Sequence, residues 1–476
     1  ILMKYSIWIS AIGLSLAAGL LAGCVASQTS QTTLTGDVLI RNVETVSFEG
    51  PEPVTLKDQF ILIEDGRITH VSDSAEGLTA AIVIDGAGQT LIPGLTDMHV
   101  HVWGEAELGA YLAHGVTTVR NMSGMPFHLN MAERIESGEL AGPRLLTTGP
   151  ILNSSGPNQQ INHQIVETAE EARNAVRWQY EQGFRHLKLY SNLSSEAYRA
   201  IREEADALGM TITGHTPEGH RYTGVPLDRD FDITFESLLD DRFLTIEHTE
   251  SIVWHGLRGF HDANAAQNLA EDIAASGIPV TPTLLAHHNL YRVANEGDGV
   301  LTRAGTEWLN PFVQAMEADV HARWLSERPE PVLRNDAFYQ QMTGYLHEAG
   351  VTLVAGSDAG IFTNIPGLSL LEELELLTHS GLSPYEALQN ATVNTARVLQ
   401  EQDRACLHNG CVADLVLYAC NPVEDLACVR SPDTVIRAGR VFDRIALDTL
   451  LEMAAQTNAA RSETNLMSGL AGQTLQ

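Results

Sequence analysis

Short apolar segments alternate with longer helical stretches from about residue 90 onward, and this alternation restricts the fold of the 476-residue chain more than any other feature. Eight such segments follow one another: LIPGLTDMHVHV, GVTTVRNM, PRLLTTG, FRHLKLY, MTITGHT, LTIEHT, PVTPTLL and VTLVAGSD. Between them lie stretches such as SSEAYRAIREEADALG, in which apolar residues recur three and four positions apart. Eight strand–helix units over roughly 300 residues are typical of a closed parallel barrel. We therefore predict an α/β protein whose residues 93–400 form a (β/α)8 TIM barrel.

The segments on either side of the barrel have strand character of another kind. Residues 37–92 consist of strand patterns separated by turns, with a hairpin signal at Asp65-Gly66. After the barrel, VADLVLY and DTVIRAGRVF return to strand patterns within residues 401–445. We predict that both segments build one small β-sandwich beside the barrel. Residues 446–476 are expected to form a C-terminal helix and a polar tail that is frayed beyond Glu452.

The N-terminal residues resemble a bacterial lipoprotein signal. Ser6–Leu21 carries no charge and follows Lys4, which suits a signal-peptide core and is short for a membrane span. Leu21-Ala22-Gly23-Cys24 resembles the lipobox, whose cysteine receives the lipid. The alternative is an ordinary secretory signal with a chance cysteine. We predict a signal peptide at 1–23, a linker at 24–36, and a folded part outside the cytoplasm that Cys24 anchors to the membrane.

The other cysteines lie close together near the C-terminus, at Cys406, Cys411, Cys420 and Cys428. In an oxidising compartment these four allow three pairings. A zinc knuckle is the alternative, but the spacing is not a pair of CxxC hooks. We favour two local disulfides, Cys406–Cys411 and Cys420–Cys428.

The excess of acidic residues makes nucleic acid a poor candidate partner. Lys and Arg number 29 against 60 Asp and Glu, a net charge of −31. The basic residues form no stripe, so nucleic acid is a poor partner. An acidic surface also repels anionic lipid, so we expect contact with the membrane only through the lipid anchor. The expected partner is a small molecule, and assembly into a homo-oligomer stays open.

Six polar side chains are expected at the end of the barrel where catalysis takes place, the carboxyl ends of the strands. Taken singly, each has an ordinary explanation, such as a hydrogen-bonded histidine, a lysine that reaches solvent or an aspartate that caps a helix. Together they occupy predicted strands one, four, five, six and eight, which is hard to attribute to chance. They are His99 and His101 on strand one, Lys188, His215, His248 and Asp358.

This constellation resembles the amidohydrolase superfamily, in the branch with a binuclear metal centre and a carboxylated lysine. The similarity covers about residues 37–450 and is strongest for imidazolonepropionase-like and prolidase-like members. The motifs that carry it occur in the family's order: LIPGLTDMHVH, GVTTVRN, LKLY, TGH, IEH, AGSDAG, LSLLEELELL, SPYEALQNATVNTARVL and VADLVLY.

The resemblance implies two divalent metal ions, with Zn²⁺ favoured because imidazole and carboxylate ligands suit it. His99, His101 and Asp358 would bind the first ion, and His215 and His248 the second. Lys188 would bridge both ions as its carbamate. A hydroxide between the ions would attack the substrate, and Asp358 would act as general base and then as general acid. The catalytic residues implied are Asp358, Lys188 and His248.

Candidates for substrate binding lie in the predicted barrel loops. They are Tyr190 after Lys188, and His220, Arg221 and Tyr222 in the GHRYTG stretch. Arg221 could pair with a substrate carboxylate and Tyr222 could donate to an oxyanion, although a solvated arginine and a packing tyrosine are equally good explanations.

The resulting functional hypothesis is a metal-dependent hydrolase of a C–N bond in a dipeptide or an N-acyl amino acid. A cyclic amide (a lactam, as in imidazolonepropionase-like enzymes) is the alternative substrate. A non-catalytic lipoprotein that binds a ligand is the third hypothesis.

Overall fold

The computed structural model describes residues 33–157 and 159–473. The predicted signal peptide, Cys24 and most of the predicted linker lie outside these ranges. Within them, no helix has both the length and the apolar character needed to cross a membrane. The lipid anchor therefore stays a prediction.

The chain begins with strands that belong to a small sheet beside the main domain. The long first strand pairs antiparallel with the second and parallel with the fourth and fifth, and the third pairs with the second. The Asp65-Gly66 turn joins the second and third strands, as the hairpin signal indicates. The strands are β1 (Leu34–Ser47), β2 (Val54–Glu64), β3 (Arg67–Ser72), β4 (Leu78–Asp85) and β5 (Thr90–Pro93).

Parallel strands and the helices between them make up the next part of the chain. In its first half these are β6 (Leu95–Val100), α1 (Leu108–Ala113), β7 (Val116–Asn121), α2 (Pro126–Ser137), β8 (Arg144–Thr147), β9 (Ile151–Asn153), β10 (His163–Ile165), α3 (Ala169–Gln182), β11 (His186–Leu189), α4 (Ser195–Leu208) and β12 (Thr211–Gly214). In its second half they are β13 (Ile246–Glu247), α5 (Thr249–Gly256), α6 (Ala263–Ser276), β14 (Val280–Thr281), α7 (Leu284–Glu296), α8 (Pro311–Met316), α9 (Ala318–Leu325), α10 (Pro329–Glu348), α11 (Leu368–His379), α12 (Pro384–Asn390) and α13 (Val393–Val398).

These strands form two parallel sheets, β6-β7-β8 and β10-β9-β11-β12-β13-β14. The backbone N–H of Gly149 donates to His186 O across one junction between the sheets. At the other junction, residues 353–359 lie between β14 and β6, where Leu353 bridges Val280 and Ala359 bridges Val100. The arrangement is an α/β, TIM-barrel-like fold. Within the predicted strand VTLVAGSD, Leu353 makes the bridge to Val280, and the backbone N–H of Asp358 donates to His99 O at 2.8 Å.

Helices pack on the strands through buried apolar faces, and α4 shows how the sequence produces such a face. In α4, Ser194 caps the start by accepting from the N–H of Ala197, and Gly209 ends the helix in the left-handed conformation. The buried residues of α4, Ala197, Tyr198, Ala200, Ile201 and Ala205, recur at the helical period. The periodicity in the sequence therefore indicates which side of this helix packs inward.

The chain returns to the small sheet after α13. The added strands are β15 (Leu415–Tyr418), β16 (Pro432–Arg437) and β17 (Arg440–Asp443). Together the two segments form one eight-stranded sheet of order β17-β16-β15-β5-β1-β2-β3, with β4 on β1. Residues 37–92 and 401–445 therefore meet as expected, whereas a sandwich of two facing sheets is not confirmed.

The four C-terminal cysteines are bonded in local pairs. Cys406 is joined to Cys411 and Cys420 to Cys428, with S–S distances of 2.01 and 2.00 Å. Cys406 and Cys411 are buried in the apolar cluster of the small sheet. Because all four sulfurs are in disulfides, the zinc-knuckle alternative does not hold in this structure.

The C-terminal residues differ from the prediction of a frayed tail. Helix α14 (Arg444–Ala454) is followed by α15 (Ala459–Gln473), so most of the segment beyond Glu452 is helical. Leu466 is 2% exposed and packs with Trp103, Met125 and Val313. The polar composition did not indicate this contact, because only Ser462, Leu466 and Gly469 of α15 are buried.

Candidate metal centre

The carboxyl ends of the parallel strands bring the six predicted site residues to one place. His99 lies on β6 and Lys188 on β11, while His215 directly follows β12 and His248 directly follows β13. His248 and Asp358 have positive φ angles, 70° and 55°, at which non-glycine residues are strained. The side chains of both residues contact His99 of β6.

Short distances connect the members of the cluster. The Oδ1 atom of Asp358 lies 3.0 Å from His101 Nε2 and 3.4 Å from His99 Nε2. The Lys188 Nζ atom is 3.4 Å from the same His99 nitrogen. The ring of His248 stands 4.7 Å from that of His99 and 4.3 Å from that of His215. The structure therefore brings together all six residues.

Three of these residues bring atoms that can ligate a metal close together. His99, His248 and Asp358 each offer an atom, and these atoms lie within 4.8 Å of one another. The donor set, two imidazoles and a carboxylate, suits a divalent transition metal such as Zn²⁺. This group can hold a metal ion.

Burial keeps the imidazoles in the form that binds metals. Burial lowers the pKa of His99 to about 4 and, together with the neighbouring imidazoles, holds the pKa values of His215 and His248 well below their ordinary value. All three rings are therefore neutral at pH 7, with a nitrogen lone pair available. Burial alone would raise the pKa of Asp358, but His99 and His101 beside it hold that pKa below its ordinary value.

Lys188 is buried, and no carboxylate of the described residues lies within ion-pair distance of its amine. Its side chain is 1% exposed, and burial lowers the pKa of its amine to about 8. Its Nζ atom lies 3.4 Å from His99 Nε2. An ammonium in this position is costly, and a larger fraction of neutral amine follows from the lowered pKa.

The buried ion pair of Glu247 and Arg120 orients the His99 ring. Neither residue was predicted as part of the site. Glu247 Oε2 accepts from His99 Nδ1 at 2.7 Å, and Glu247 Oε1 pairs with Arg120 Nη2 at 2.8 Å. Both side chains are at most 1% exposed. Glu247 thus fixes the tautomer of His99 and directs Nε2 toward the centre. The signals in the sequence were Glu247 next to His248 in the IEH motif and Arg120 in GVTTVRN.

Hydroxyl groups orient two further histidines. His101 Nδ1 lies 2.8 Å from Ser123 Oγ, and His248 Nδ1 lies 2.6 Å from Thr283 Oγ1. In each case the hydrogen bond uses the nitrogen that faces away from the cluster and leaves Nε2 for a ligand. Nothing in the sequence singled out Ser123 or Thr283.

Asp97 holds the backbone of the site and does not join the cluster. Its Oδ1 accepts from the N–H groups of His99 and Ser357, at 3.2 and 3.0 Å, and its Oδ2 accepts from Ser357 Oγ at 2.5 Å. Asp97 therefore ties the strand of His99 to the segment that carries Asp358.

The predicted substrate-binding residues fall into two groups. Tyr190 lies against the cluster, with its ring 4.0 Å from that of His215. Arg221 instead forms a two-point ion pair with the buried Glu218, at 2.8 and 2.9 Å. His220 and Tyr222 are the neighbours of Arg221 on the same loop, and Tyr222 is 46% exposed. The structure places Tyr190 in the site and gives Arg221 a carboxylate partner within the protein.

Comparison with known proteins finds a matching family and several relatives. A profile of the amidohydrolase family matches residues 90–442. An imidazolonepropionase of Idiomarina loihiensis is 24% identical over 399 residues, 78% of this chain and 88% of that enzyme. An uncharacterised protein of Mycobacterium tuberculosis is 25% identical over 402 residues, 80% of this chain and 91% of that protein.

A solved structure shares the fold. It is a Xaa-Pro dipeptidase with methionine bound in its active site, superimposed with a TM-score of 0.63 at 20% identity over 85% of this chain and 99% of that chain. The family profile covers well over half of the chain. The protein thus belongs to the amidohydrolase family and is a hydrolase acting on carbon–nitrogen bonds.

Proposed function

We propose that the protein hydrolyses the amide bond of a dipeptide or an N-acyl amino acid in a binuclear metal site. The observation that carries the proposal is the convergence of His99, His101, Lys188, His215, His248 and Asp358 at the carboxyl ends of the parallel strands. The likeness to a Xaa-Pro dipeptidase fold and to an imidazolonepropionase supports an amide-type substrate.

The metal ligands divide into two sets with one shared residue. His99, His101 and Asp358 would hold one ion, His215 and His248 the other, and Lys188 would hold both as its carbamate. Carbamylation would replace a buried ammonium by an anion, and the neutral amine that it requires is favoured by the lowered pKa of Lys188. When bound, Zn²⁺ would supply a Lewis acid and lower the pKa of water.

Asp358 is the proton carrier in this proposal. Its carboxylate is ionised at neutral pH and lies within hydrogen-bond distance of His101, so it can accept a proton from an attacking water. The same carboxyl group would then deliver that proton to the leaving nitrogen. The Glu247–His99 hydrogen bond keeps the ring beside Asp358 in a single orientation during this transfer.

A cyclic amide is the second candidate substrate. The relative from Idiomarina loihiensis is an imidazolonepropionase, and the likeness spans 88% of its length. A screen of dipeptides, N-acyl amino acids and lactams with zinc-loaded protein separates the two proposals, because only one class should turn over efficiently.

The role of Lys188 is tested by removing its side chain. Lys188→Ala should abolish hydrolysis and lower the metal content from about two ions per chain, because the bridging ligand is lost. Bicarbonate with a short carboxylic acid should restore part of the activity. Lys57→Ala is the matched control, since Lys57 is 79% exposed in the small sheet. Wild-type activity in Lys188→Ala would disprove the bridging role.

We also propose that the enzyme works outside the cytoplasm, anchored through a lipid on Cys24. The two disulfides support this location, because such bonds persist in oxidising compartments. In a bacterial host, Cys24→Ser should move the protein from the membrane fraction to the soluble fraction. Unchanged membrane association of Cys24→Ser would disprove the anchor.

A further inference from the structure

Helix α7 begins directly after Thr283 and lacks the usual cap at its first turn. In such a cap, the side-chain oxygen of the preceding residue accepts from the second or third N–H group of the helix. The Thr283 side chain makes no such bond, and its backbone is left-handed, at φ 48° and ψ 45°. The first N–H groups of α7 therefore need acceptors from elsewhere in the fold.

Glu373 on the neighbouring helix α11 supplies these acceptors. Its Oε1 accepts from the N–H of Leu284 at 3.0 Å, and its Oε2 accepts from the N–H of Leu285 at 2.8 Å. The Glu373 side chain is 0% exposed, so solvent does not compete for these bonds. Glu373 thus takes the place of the cap that the Thr283 side chain does not provide.

The Thr283 hydroxyl bonds to a residue of the candidate metal centre instead. Its Oγ1 lies 2.6 Å from His248 Nδ1 and donates to Pro282 O at 2.8 Å. A hydroxyl has one hydrogen and a carbonyl can only accept, so that hydrogen goes to Pro282. The hydroxyl oxygen must then accept from the Nδ1–H of His248. This bond fixes the tautomer of His248 that leaves the Nε2 lone pair for a ligand.

Backbone hydrogen bonds hold His248 and Thr283 side by side. The N–H of His248 donates to Thr281 O at 2.8 Å, and the N–H of Thr249 donates to Pro282 O at 3.0 Å. His248 and Thr283 both have positive φ angles, 70° and 48°, which persist in such residues only where the surroundings impose them. An acceptor for the first turn of α7 other than the Thr283 hydroxyl is part of those surroundings.

We propose that Glu373 is a positioning residue for the metal ligand His248. By capping α7 from α11, it leaves the Thr283 hydroxyl to hold His248 in the tautomer that binds metal. The inference rests on the function proposed above, in which His248 is a ligand. Glu372 offers a control, because it also reaches α7, through Arg292 Nη1 at 3.3 Å, but about two turns further along the helix.

The affinity for Zn²⁺, measured by competition with a chromophoric chelator, is the first test. Thr283→Val removes the hydroxyl at nearly constant shape and should lower the affinity by about 10–100-fold, as for other partners that orient a ligand. Glu373→Gln replaces one accepting oxygen by an amide nitrogen, which cannot accept, so one N–H of α7 competes for the Thr283 hydroxyl. The affinity should fall by at least about threefold in Glu373→Gln and stay unchanged in Glu372→Gln.

The double variant Glu373→Gln/Thr283→Val separates positioning from a general structural role. If Glu373 acts through Thr283, the double variant should bind Zn²⁺ within about threefold of Thr283→Val alone, because no hydroxyl remains to be misdirected. Losses that multiply would show that the two residues act independently and would overturn the proposal. If Glu373→Gln does not fold, Glu373→Asp, which shortens the reach by one methylene, replaces it in the same cycle with the same expected outcome.

The tautomer of His248 tests the positioning role without metal. Long-range ¹H–¹⁵N NMR spectra of the metal-free protein report which ring nitrogen carries the hydrogen, and comparison with His248→Gln assigns the signals. We expect the Nδ1–H form in wild type and in Glu372→Gln, and a measurable fraction of the Nε2–H form in Glu373→Gln. An unchanged tautomer in folded Glu373→Gln would overturn the proposal. If wild type binds no Zn²⁺, the proposed function fails, while this comparison still decides the role of Glu373.

Discussion

The buried Arg120–Glu247 pair offers a strong test of how the candidate metal centre is built. Arg120 donates from Nη2 to Glu247 at 2.8 Å and from Nε to Met98 O at 2.7 Å, and it is 1% exposed. Arg120→Met would leave the Glu247 carboxylate buried without its counter-charge and the Met98 carbonyl without its donor. Breaking a buried pair on one side costs about 3–5 kcal/mol in stability, and the unpaired carbonyl adds to this loss.

The same substitution should weaken metal binding, because Glu247 also accepts from His99 Nδ1 at 2.7 Å. With Arg120 absent, Glu247 favours a protonated His99, and an imidazolium cannot bind a metal. Loss of a partner that orients a ligand typically lowers metal affinity by about 10–100-fold. Arg120→Met should therefore be both less stable and poorer in metal than wild type.

Urea unfolding of the metal-free protein measures the first effect, and a chelator competition measures the second. Arg173→Met is the matched control, because Arg173 pairs with Glu203 at the surface, where such pairs contribute about 0–1 kcal/mol. A loss of less than about 1 kcal/mol in Arg120→Met, with unchanged metal affinity, would refute this account of the pair.

Further predictions concern pH and the C-terminal helix. Burial lowers the pKa of His114 and of His128 from 6.5 to about 4, so both contribute stability above pH 6.5 that is lost as the pH falls toward 4. Each is worth about 3 kcal/mol at neutral pH; equal urea midpoints at pH 7.5 and 5 would contradict this. Leu466→Ala should reduce stability by about 2–5 kcal/mol, because Leu466 anchors α15, whereas the 54%-exposed Met467→Ala should stay near wild type in the same assay. Burial raises the pKa of Glu373 to about 8, so its contribution falls as the pH rises from 4.5 to 8; Glu373→Gln should remove this slope, and a stability difference from wild type that is constant over that range would refute the assignment.

The six residues that converge at the carboxyl ends of the strands could be selected from the sequence because their positions follow simple rules. His99 and His101 are two apart on a strand, so they point to one face, and the other members stand where a strand pattern ends. Tyr190 was reached in the same way, as the residue that follows the Lys188 strand closely. The ion pair of Arg221 with Glu218 could not be predicted in this way. Glu218 lies on an irregular loop, and no periodic pattern in the sequence predicts the course of that loop.

The residues that were missed have partners far away in the chain. Arg120 and Glu247 are 127 positions apart, and His101 and Ser123 meet through the packing of β6 against the loop after β7. The polar tail was wrongly expected to fray because α15 buries few side chains, among them Leu466. The apolar pattern of α15 is weak, but the helix packs through Leu466 against Trp103, Met125 and Val313.

Alternating apolar and helical segments were enough to predict an α/β, TIM-barrel-like fold and the end of it where the chemistry takes place, because strand direction and side-chain period are local properties. The ion pair of Arg120 and Glu247 beside His99 and the docking of α15 depend on which distant surfaces come into contact. Packing in three dimensions determines those contacts, since the free energy of a buried polar atom depends on every neighbour around it.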